Sequence, residues 1–138
     1  MAVKVVYDAT RGLVQENDTT GAGGFEIKDA ILSEGVEGTA ADPVDAGAGA
    51  GPNLSITSGI SLVETVLGQA AGNVTVPNAA AANIGQIKVI VYKKENDPGD
   101  SLTVKGTGLG AGIALTDVGD VLMLMWTGDA WNVVGQTT

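Results

Sequence analysis

Short segments of alternating apolar and polar residues follow one another along the last third of the chain, with turn residues between them. The pattern predicts successive short strands. The segments are Gln86–Lys94, Ser101–Lys105, Ile113–Thr116, Val121–Trp126 and Trp131–Val134. We therefore expect an all-β fold, an antiparallel β-sandwich or barrel (jelly-roll-like), with an extended N-terminal arm. The pattern leaves the choice between sandwich and barrel open.

The earlier part of the chain is less regular. Further strands are predicted at Val3–Tyr7, Phe25–Leu32, Leu54–Thr57, Ile60–Leu67 and Asn73–Pro77. Residues 33–53 are rich in Gly and Ala and can bury little apolar area, so a loop or linker that lies over a surface is expected there. This places one boundary, with an arm and linker at 1–53 and a β-rich module at 54–138.

Composition restricts the function more than the fold. Only 4% of the 138 residues are aromatic and 21 are Gly, which predicts a core of small side chains, as in structural or oligomeric β proteins. The net charge of −9 makes nucleic acid an improbable partner. No apolar run is long enough to span a bilayer, and the first residues do not resemble a signal peptide. We expect a protein made in a cytoplasm that binds no membrane.

Reactive side chains are scarce. The sequence has no Cys and no His, which excludes disulfides, thiol chemistry, Ser-His-Asp triads and the usual zinc sites. Aspartates are concentrated where turns are predicted, and there they normally cap the backbone. Calcium binding by these turns stays an alternative, although the EF-hand spacing is absent. We predict no catalytic residue, no cofactor and no metal. These aspartates are Asp97, Asp100, Asp117, Asp120 and Asp129.

A glycine run, Gly106–Gly112, separates two predicted strands. Its spacing does not fit the G-x-G-x-x-G dinucleotide motif, and no helix is predicted after it. Alternating glycines would leave one strand face bare, where the backbone of another subunit can approach. This interpretation assigns Gly108 and Gly110 to an oligomer interface.

The final hairpin contains both tryptophans. Met123 and Met125 alternate with leucines, so both faces of this strand are apolar and should be covered, by a second sheet or by a neighbouring subunit. Trp126 and Trp131 flank a four-residue turn. They suit hairpin packing, a carbohydrate-stacking platform or a contact between subunits. We predict an oligomer interface that contains both methionines and both tryptophans.

The resemblance of this sequence to a known group of proteins begins at Ile60 and extends to Gly135. The residues that carry it are Asn73–Pro77, Asn83–Gln86, Ile87–Ile90, Gly106, Ile113–Thr116, Gly119–Asp120 and Trp126–Gly135. They resemble a pattern in tailed-bacteriophage virion proteins, in which a strand ending in proline precedes a glycine and a "G-D … W … V-x-G" hairpin closes the domain. Small capsid decoration (cement) proteins and fibre-type proteins carry this pattern.

The resemblance implies a β-rich, commonly trimeric module that binds the outside of a phage head and catalyses nothing. The expected partners are the major capsid protein and further copies of the chain, in a homotrimer on the outer capsid surface of the virion. A fibre, spike or tail module and a carbohydrate-binding module are the alternatives. The N-terminal residues Val5, Tyr7, Arg11 and Leu13 form either an ordinary first strand or an arm that docks on the capsid, because Tyr and Arg favour interfaces.

Overall fold

A computed structural model describes residues 35–137 and, before them, two strands. Over these residues the fold contains eleven strands and no helix. The all-β prediction is therefore confirmed. The strands are β1 (Lys4–Asp8), β2 (Gly12–Glu16), β3 (Val36–Glu37), β4 (Val44–Asp45), β5 (Ile60–Glu64), β6 (Ala71–Thr75), β7 (Ile87–Lys94), β8 (Ser101–Lys105), β9 (Ile113–Leu115), β10 (Val121–Trp126) and β11 (Trp131–Gln136). The strand predicted at Phe25–Leu32 lies outside the described residues.

A six-stranded sheet forms the larger part of the fold. Its order is β11-β10-β7-β5-β3, and β4 also pairs with β5. Strand β10 is antiparallel to both of its neighbours, β7 and β11, whereas β5 runs parallel to β7, β3 and β4. A smaller sheet has the order β6-β8-β9, with β6 parallel to β8. The sheets are open at their edges, and both contain parallel as well as antiparallel pairs. The prediction of an antiparallel fold is therefore wrong for the parallel pairs.

The parallel pairs follow from the path of the chain. From β5 the chain passes to β6 in the smaller sheet, returns to β7 in the larger one, and passes again to β8. The neighbours β5 and β7, and likewise β6 and β8, are thus separated by a strand of the other sheet, and they run in the same direction. Turn residues in the sequence mark where a strand ends, but they do not tell which sheet the next strand joins.

The inner faces of the two sheets contribute to one core. Every second residue of β7, β8 and β10 is buried there, which is the alternation that the sequence shows. Tyr92, Leu102, Leu122 and Leu124 are fully buried in this cluster. Leucine is the most frequent residue of the core, followed by valine, and one Tyr and two Trp belong to it, so the expectation of a core of small side chains is wrong.

Residues 35–53 are part of the fold. Predicted as a loop, this segment contains β3, β4 and single bridges from Gly47 to Asn73 and from Asn53 to Thr75. The Ala46 side chain is buried, and its amide donates to the Glu64 carbonyl over 2.8 Å. The packing therefore continues across the boundary expected at residue 53. Short backbone pairings of this kind need no apolar alternation, so the sequence pattern did not indicate them.

Candidate interaction surface

The larger sheet has a second face, and that face is apolar as well. Alternation along β3, β5, β7 and β10 places one set of side chains away from the core, where they are partly or largely exposed. We call these residues the outer sheet face: Val36, Ile60, Leu62, Ile87, Val89, Val91, Val121, Met123 and Met125. All are aliphatic residues or methionine, and Lys93 at the end of β7 is the polar side chain that the same alternation places on this side of the described sheet.

Strand register makes the outer sheet face continuous. Ile60 lies beside Val89, and Val89 lies beside Met123 on the next strand. A second row of Leu62, Val91 and Val121 runs next to the first. With strands about 4.8 Å apart and about 3.3 Å per residue, the patch covers roughly 300 Å² in projection. Apolar patches of this size on a single chain commonly mark interaction sites.

The carboxylates lie elsewhere. In the described part of the chain, those not paired inside the fold lie in turns and strand ends. Asp120 is typical: its carboxylate accepts hydrogen bonds from the amides of Thr116 and Asp117, over 2.9 and 3.1 Å. Asp100 and Asp120 thus cap the backbone of their turns, as predicted. Asp117 and Asp129 accept from threonine hydroxyls instead, and Asp97 accepts from the amide of Gly68. Glu64 ends β5, and its pKa lies below the ordinary value mainly because Lys94 donates a hydrogen bond to it.

A buried polar cluster holds the inner face of the same sheet. Lys88 of β7 is fully buried, and its ammonium donates to the carbonyls of Ser55 and Ser58, over 2.8 and 2.7 Å. Glu37 of β3 lies 3.8 Å from the ammonium and accepts hydrogen bonds from the Ser55 amide and the Ser61 hydroxyl. Burial lowers the pKa of Lys88 to about 8.

This cluster was missed from the sequence. Lys88 stands in a strand where a polar residue alternates with apolar ones, which is typical of a solvated side chain. Its position is inverted here: the apolar neighbours Ile87 and Val89 face outward, and the lysine faces inward. The only signal was that both sides of the first six residues of this strand are apolar apart from Lys88, which shares its side with Ile90 and Tyr92.

The residues predicted for an oligomer interface separate into three groups. Met123 and Met125 lie on the outer sheet face and are 38% and 37% exposed. Trp126 and Trp131 are instead buried in the core, with ring centroids 5.3 Å apart. Their indole N–H groups donate to the carbonyls of Ala80 and Pro77. The tryptophans therefore form neither an oligomer surface nor a carbohydrate platform, because the hairpin turns them inward.

The glycine run forms a tight turn and no bare strand face. Gly108 and Gly110 have φ angles of 92° and 60°, in the left-handed region. A Cβ at Gly108 would meet the Trp131 carbonyl oxygen at 2.6 Å, whereas nothing lies within 4 Å of one at Gly110. The prediction that these glycines admit another subunit is corrected: Gly108 admits the final hairpin of the same chain.

The predicted docking residues lie in the N-terminal strands. Val5 and Tyr7 belong to β1 and Leu13 to β2, and the antiparallel register pairs Tyr7 with Leu13. Arg11 lies outside the described residues. The structure thus brings two of these positions together as direct partners in a hairpin.

The described residues contain no group of three or more acidic, His or Cys side chains arranged to hold a metal ion. No helix among them is long and apolar enough to cross a membrane.

The chain was compared with known protein families and with curated proteins. The chain matches no known protein family, and no curated protein matches it.

Proposed function

We propose that this protein is a virion structural protein, a capsid decoration (cement) protein that binds the outer surface of a phage head and stabilises the shell. The outer sheet face carries the proposal. A continuous apolar surface on a chain with a net charge of −9 suits association with other protein subunits better than recognition of nucleic acid or of a small polar ligand. The proposal includes no catalysis, in keeping with a sequence without Cys or His.

The residues of the phage-like pattern support the proposal through their contacts. Pro77, which follows β6, accepts the Trp131 indole N–H over 2.9 Å. Gly106 lies against the Val76 carbonyl, and Asp120 caps the turn before β10. The pattern therefore consists of residues that hold one particular fold together. We propose that the two sheets form a sandwich of the kind that the resembling virion proteins use.

The capsid contact is assigned to the N-terminal strands. A two-stranded hairpin alone is marginally stable in water, so β1 and β2 gain stability by packing on a larger surface. Val5, Tyr7, Arg11 and Leu13 are the residues proposed to dock on the major capsid protein. Tyr and Arg are frequent at the energetic centres of interfaces.

A protein of this kind acts by mass action. It binds the assembled shell and not the separated capsid subunits, and so it shifts the equilibrium toward the intact shell. Several linked copies add avidity, because the second and third contacts form at a high effective concentration. An acidic chain is placed best outside the shell, away from packaged DNA.

A fibre, spike or tail module is the second reading of the same resemblance. A carbohydrate-binding module loses its support because both indoles are buried. Co-sedimentation separates the first two: purified protein is mixed with capsids that lack it, and with isolated tails, and each is pelleted. We expect saturable binding to the capsids. Binding to tails alone supports the second reading, and binding to neither contradicts both.

A matched variant locates the capsid contact. Removal of residues 1–16, which include β1 and β2, is expected to weaken capsid binding while the Trp fluorescence of the remaining chain stays unchanged. Full capsid affinity of this variant would contradict the assignment to the N-terminal strands.

A further inference from the structure

We propose that the outer sheet face is the contact between copies of this chain. The inference rests on the proposed structural role, and it names what covers this surface. It also assigns interface residues that the sequence did not indicate, on β5, β7 and the beginning of β10. They are Ile60, Leu62, Val89, Val91 and Val121.

Charge is the first argument for a second copy. Two chains with a net charge of −9 repel each other, and the repulsion is strongest where carboxylates face each other at short range. At physiological ionic strength, charges separated by more than about 8 Å are largely screened. Along its central rows the outer sheet face carries no carboxylate among the described residues. Two copies that meet through this face bring no acidic side chains into contact.

The ends of the strands show the same arrangement. Asp97 and Asp100 lie in the turn after β7, and Asp117 and Asp120 lie in the turn before β10. These acidic turns are therefore at the perimeter of the face and not on it. Asp100 and Asp120 are buried in their turns, so Asp97 and Asp117 are the members of this group that contribute to a solvated rim. An apolar centre with a polar rim is the usual anatomy of a protein–protein interface.

Size is the second argument. A stable interface buries about 800 Å² of accessible surface on each partner, which exceeds the roughly 300 Å² projection of the central patch. On the edge strand β11, the register places Asn132 beside Met125 and Gly135 beside Met123, so the face ends there in a polar residue and a glycine. The edge strand contains no Lys, Glu or Pro, the residues that normally protect an exposed edge. Backbone pairing of this open edge with the edge strand of another copy would add to the area that the central patch contributes.

A basic partner fits this surface less well. Such a partner would be drawn to the acidic turns and would gain little from a neutral aliphatic patch. The partner that matches a neutral aliphatic surface is another neutral aliphatic surface, and each copy of the chain presents one.

The first test places a charge in the centre of the face. Met123→Glu points a carboxylate outward, and Leu67→Glu makes the same change at a 73% exposed site in the loop after β5. Light scattering should give the wild type and Leu67→Glu a mass two or three times the 13.8 kDa of one chain. For Met123→Glu we expect a monomer, with self-association weakened roughly 100-fold, because an unpaired charge would be buried in every copy.

Three outcomes would overturn the inference: a monomeric wild type, an unchanged mass for Met123→Glu, or equal weakening by both substitutions. A folding failure of Met123→Glu is detected by loss of the buried-indole emission of Trp126 and Trp131. The second test does not depend on that variant.

The second test uses the absence of cysteine. Met123→Cys introduces one thiol on the face, and Leu67→Cys introduces one outside it. A short bis-maleimide should link Met123→Cys chains into covalent dimers and leave Leu67→Cys chains single at the same concentration. Equal yields from the two variants, or no dimer from either, would contradict a contact through this face.

These results are independent of the proposed function. If the protein self-associates through the face but does not pellet with capsids, the inference stands and the proposed function is contradicted. If the protein is a monomer that pellets with capsids, the proposed function stands and the inference is contradicted.

Discussion

At the scale of one residue, Lys88 shows the structural role of a buried lysine in this acidic β protein. Its ammonium satisfies two loop carbonyls and faces Glu37, so it connects the segment before β5 to the middle of the larger sheet. Such an arrangement contributes little net stability over an apolar core of the same shape, but the loss of one member leaves the others unpaired in a dry site. The cluster therefore makes the folding of residues 35–61 depend on β7.

Lys88→Met tests this dependence. Methionine keeps most of the volume but removes the donors, so the Ser55 and Ser58 carbonyls and the Glu37 carboxylate lose a partner. We expect the free energy of unfolding to fall by about 3 kcal/mol in urea titrations followed by Trp fluorescence. Lys93→Met, at an exposed position of the same strand, is the control and should change it by less than about 0.5 kcal/mol. Equal effects of the two substitutions would contradict the role given to the cluster.

Lys88 should also make the stability depend on pH. Its pKa is about 8 in the folded chain against an ordinary 10.5, because burial disfavours the charge more than Glu37 favours it. Between these values the unfolded chain binds more protons, so the free energy of unfolding rises with pH. Burial raises the pKa of Tyr92, which opposes the rise above about pH 10.

The effect of Lys88 on the free energy of unfolding can therefore be measured between about pH 8 and pH 10. Relative to Lys88→Met, the wild type should gain about 1 kcal/mol of unfolding free energy per pH unit in this window. Urea titrations at three pH values in the window measure the difference. A difference between the two proteins that does not change with pH would contradict the buried, charge-depleted environment of Lys88.

At the scale of elements, strand positions could be predicted but their partners could not. The segments predicted from Gln86 to Val134 appear as β7 to β11 with ends shifted by a residue or two. Alternation of apolar and polar residues is a local property of the sequence, and it was sufficient to locate those strands. Pairing depends on which sheet each strand joins, so the parallel pairs of β5 with β7 and β6 with β8 left no mark in the sequence.

The candidate surface could likewise be predicted only in part. An apolar strand on both faces was recognisable from Val121–Trp126, and Met123 and Met125 do lie on the open face. The remaining face residues belong to strands that register brings alongside, and register was not predictable. The tryptophans were misplaced because a hairpin can turn its large side chains to either face.

The turn between β8 and β9 provides a comparison of two glycines. Gly108→Ala should destabilise the fold by about 3 kcal/mol, because its Cβ would collide with the Trp131 carbonyl in addition to the cost of its positive φ. Gly110→Ala incurs only the φ cost, about 1 kcal/mol, since open space surrounds that position. Thermal unfolding of both variants measures the difference. Similar losses at the two sites would contradict the close approach of the hairpin.

At the scale of the whole molecule, polarity is divided between regions. Lys88 and Lys94 are paired with Glu37 and Glu64, Asp100 and Asp120 cap turns, and the central rows of the outer sheet face are aliphatic residues and methionine. A chain built in this way has one surface suited to association and an acidic perimeter that keeps it soluble. This distribution, together with the phage-like pattern around the final hairpin, is the basis of the proposed role on a capsid.

The most direct measurement of that role is the melting temperature of the shell itself. Calorimetry of capsids that lack the protein is compared with the same capsids after addition of increasing amounts of it. Because binding to the assembled shell alone stabilises it, the melting temperature of the shell should rise with added protein, beginning near the concentration at which co-sedimentation shows binding. A shell that melts at the same temperature at every concentration of the protein would contradict the account.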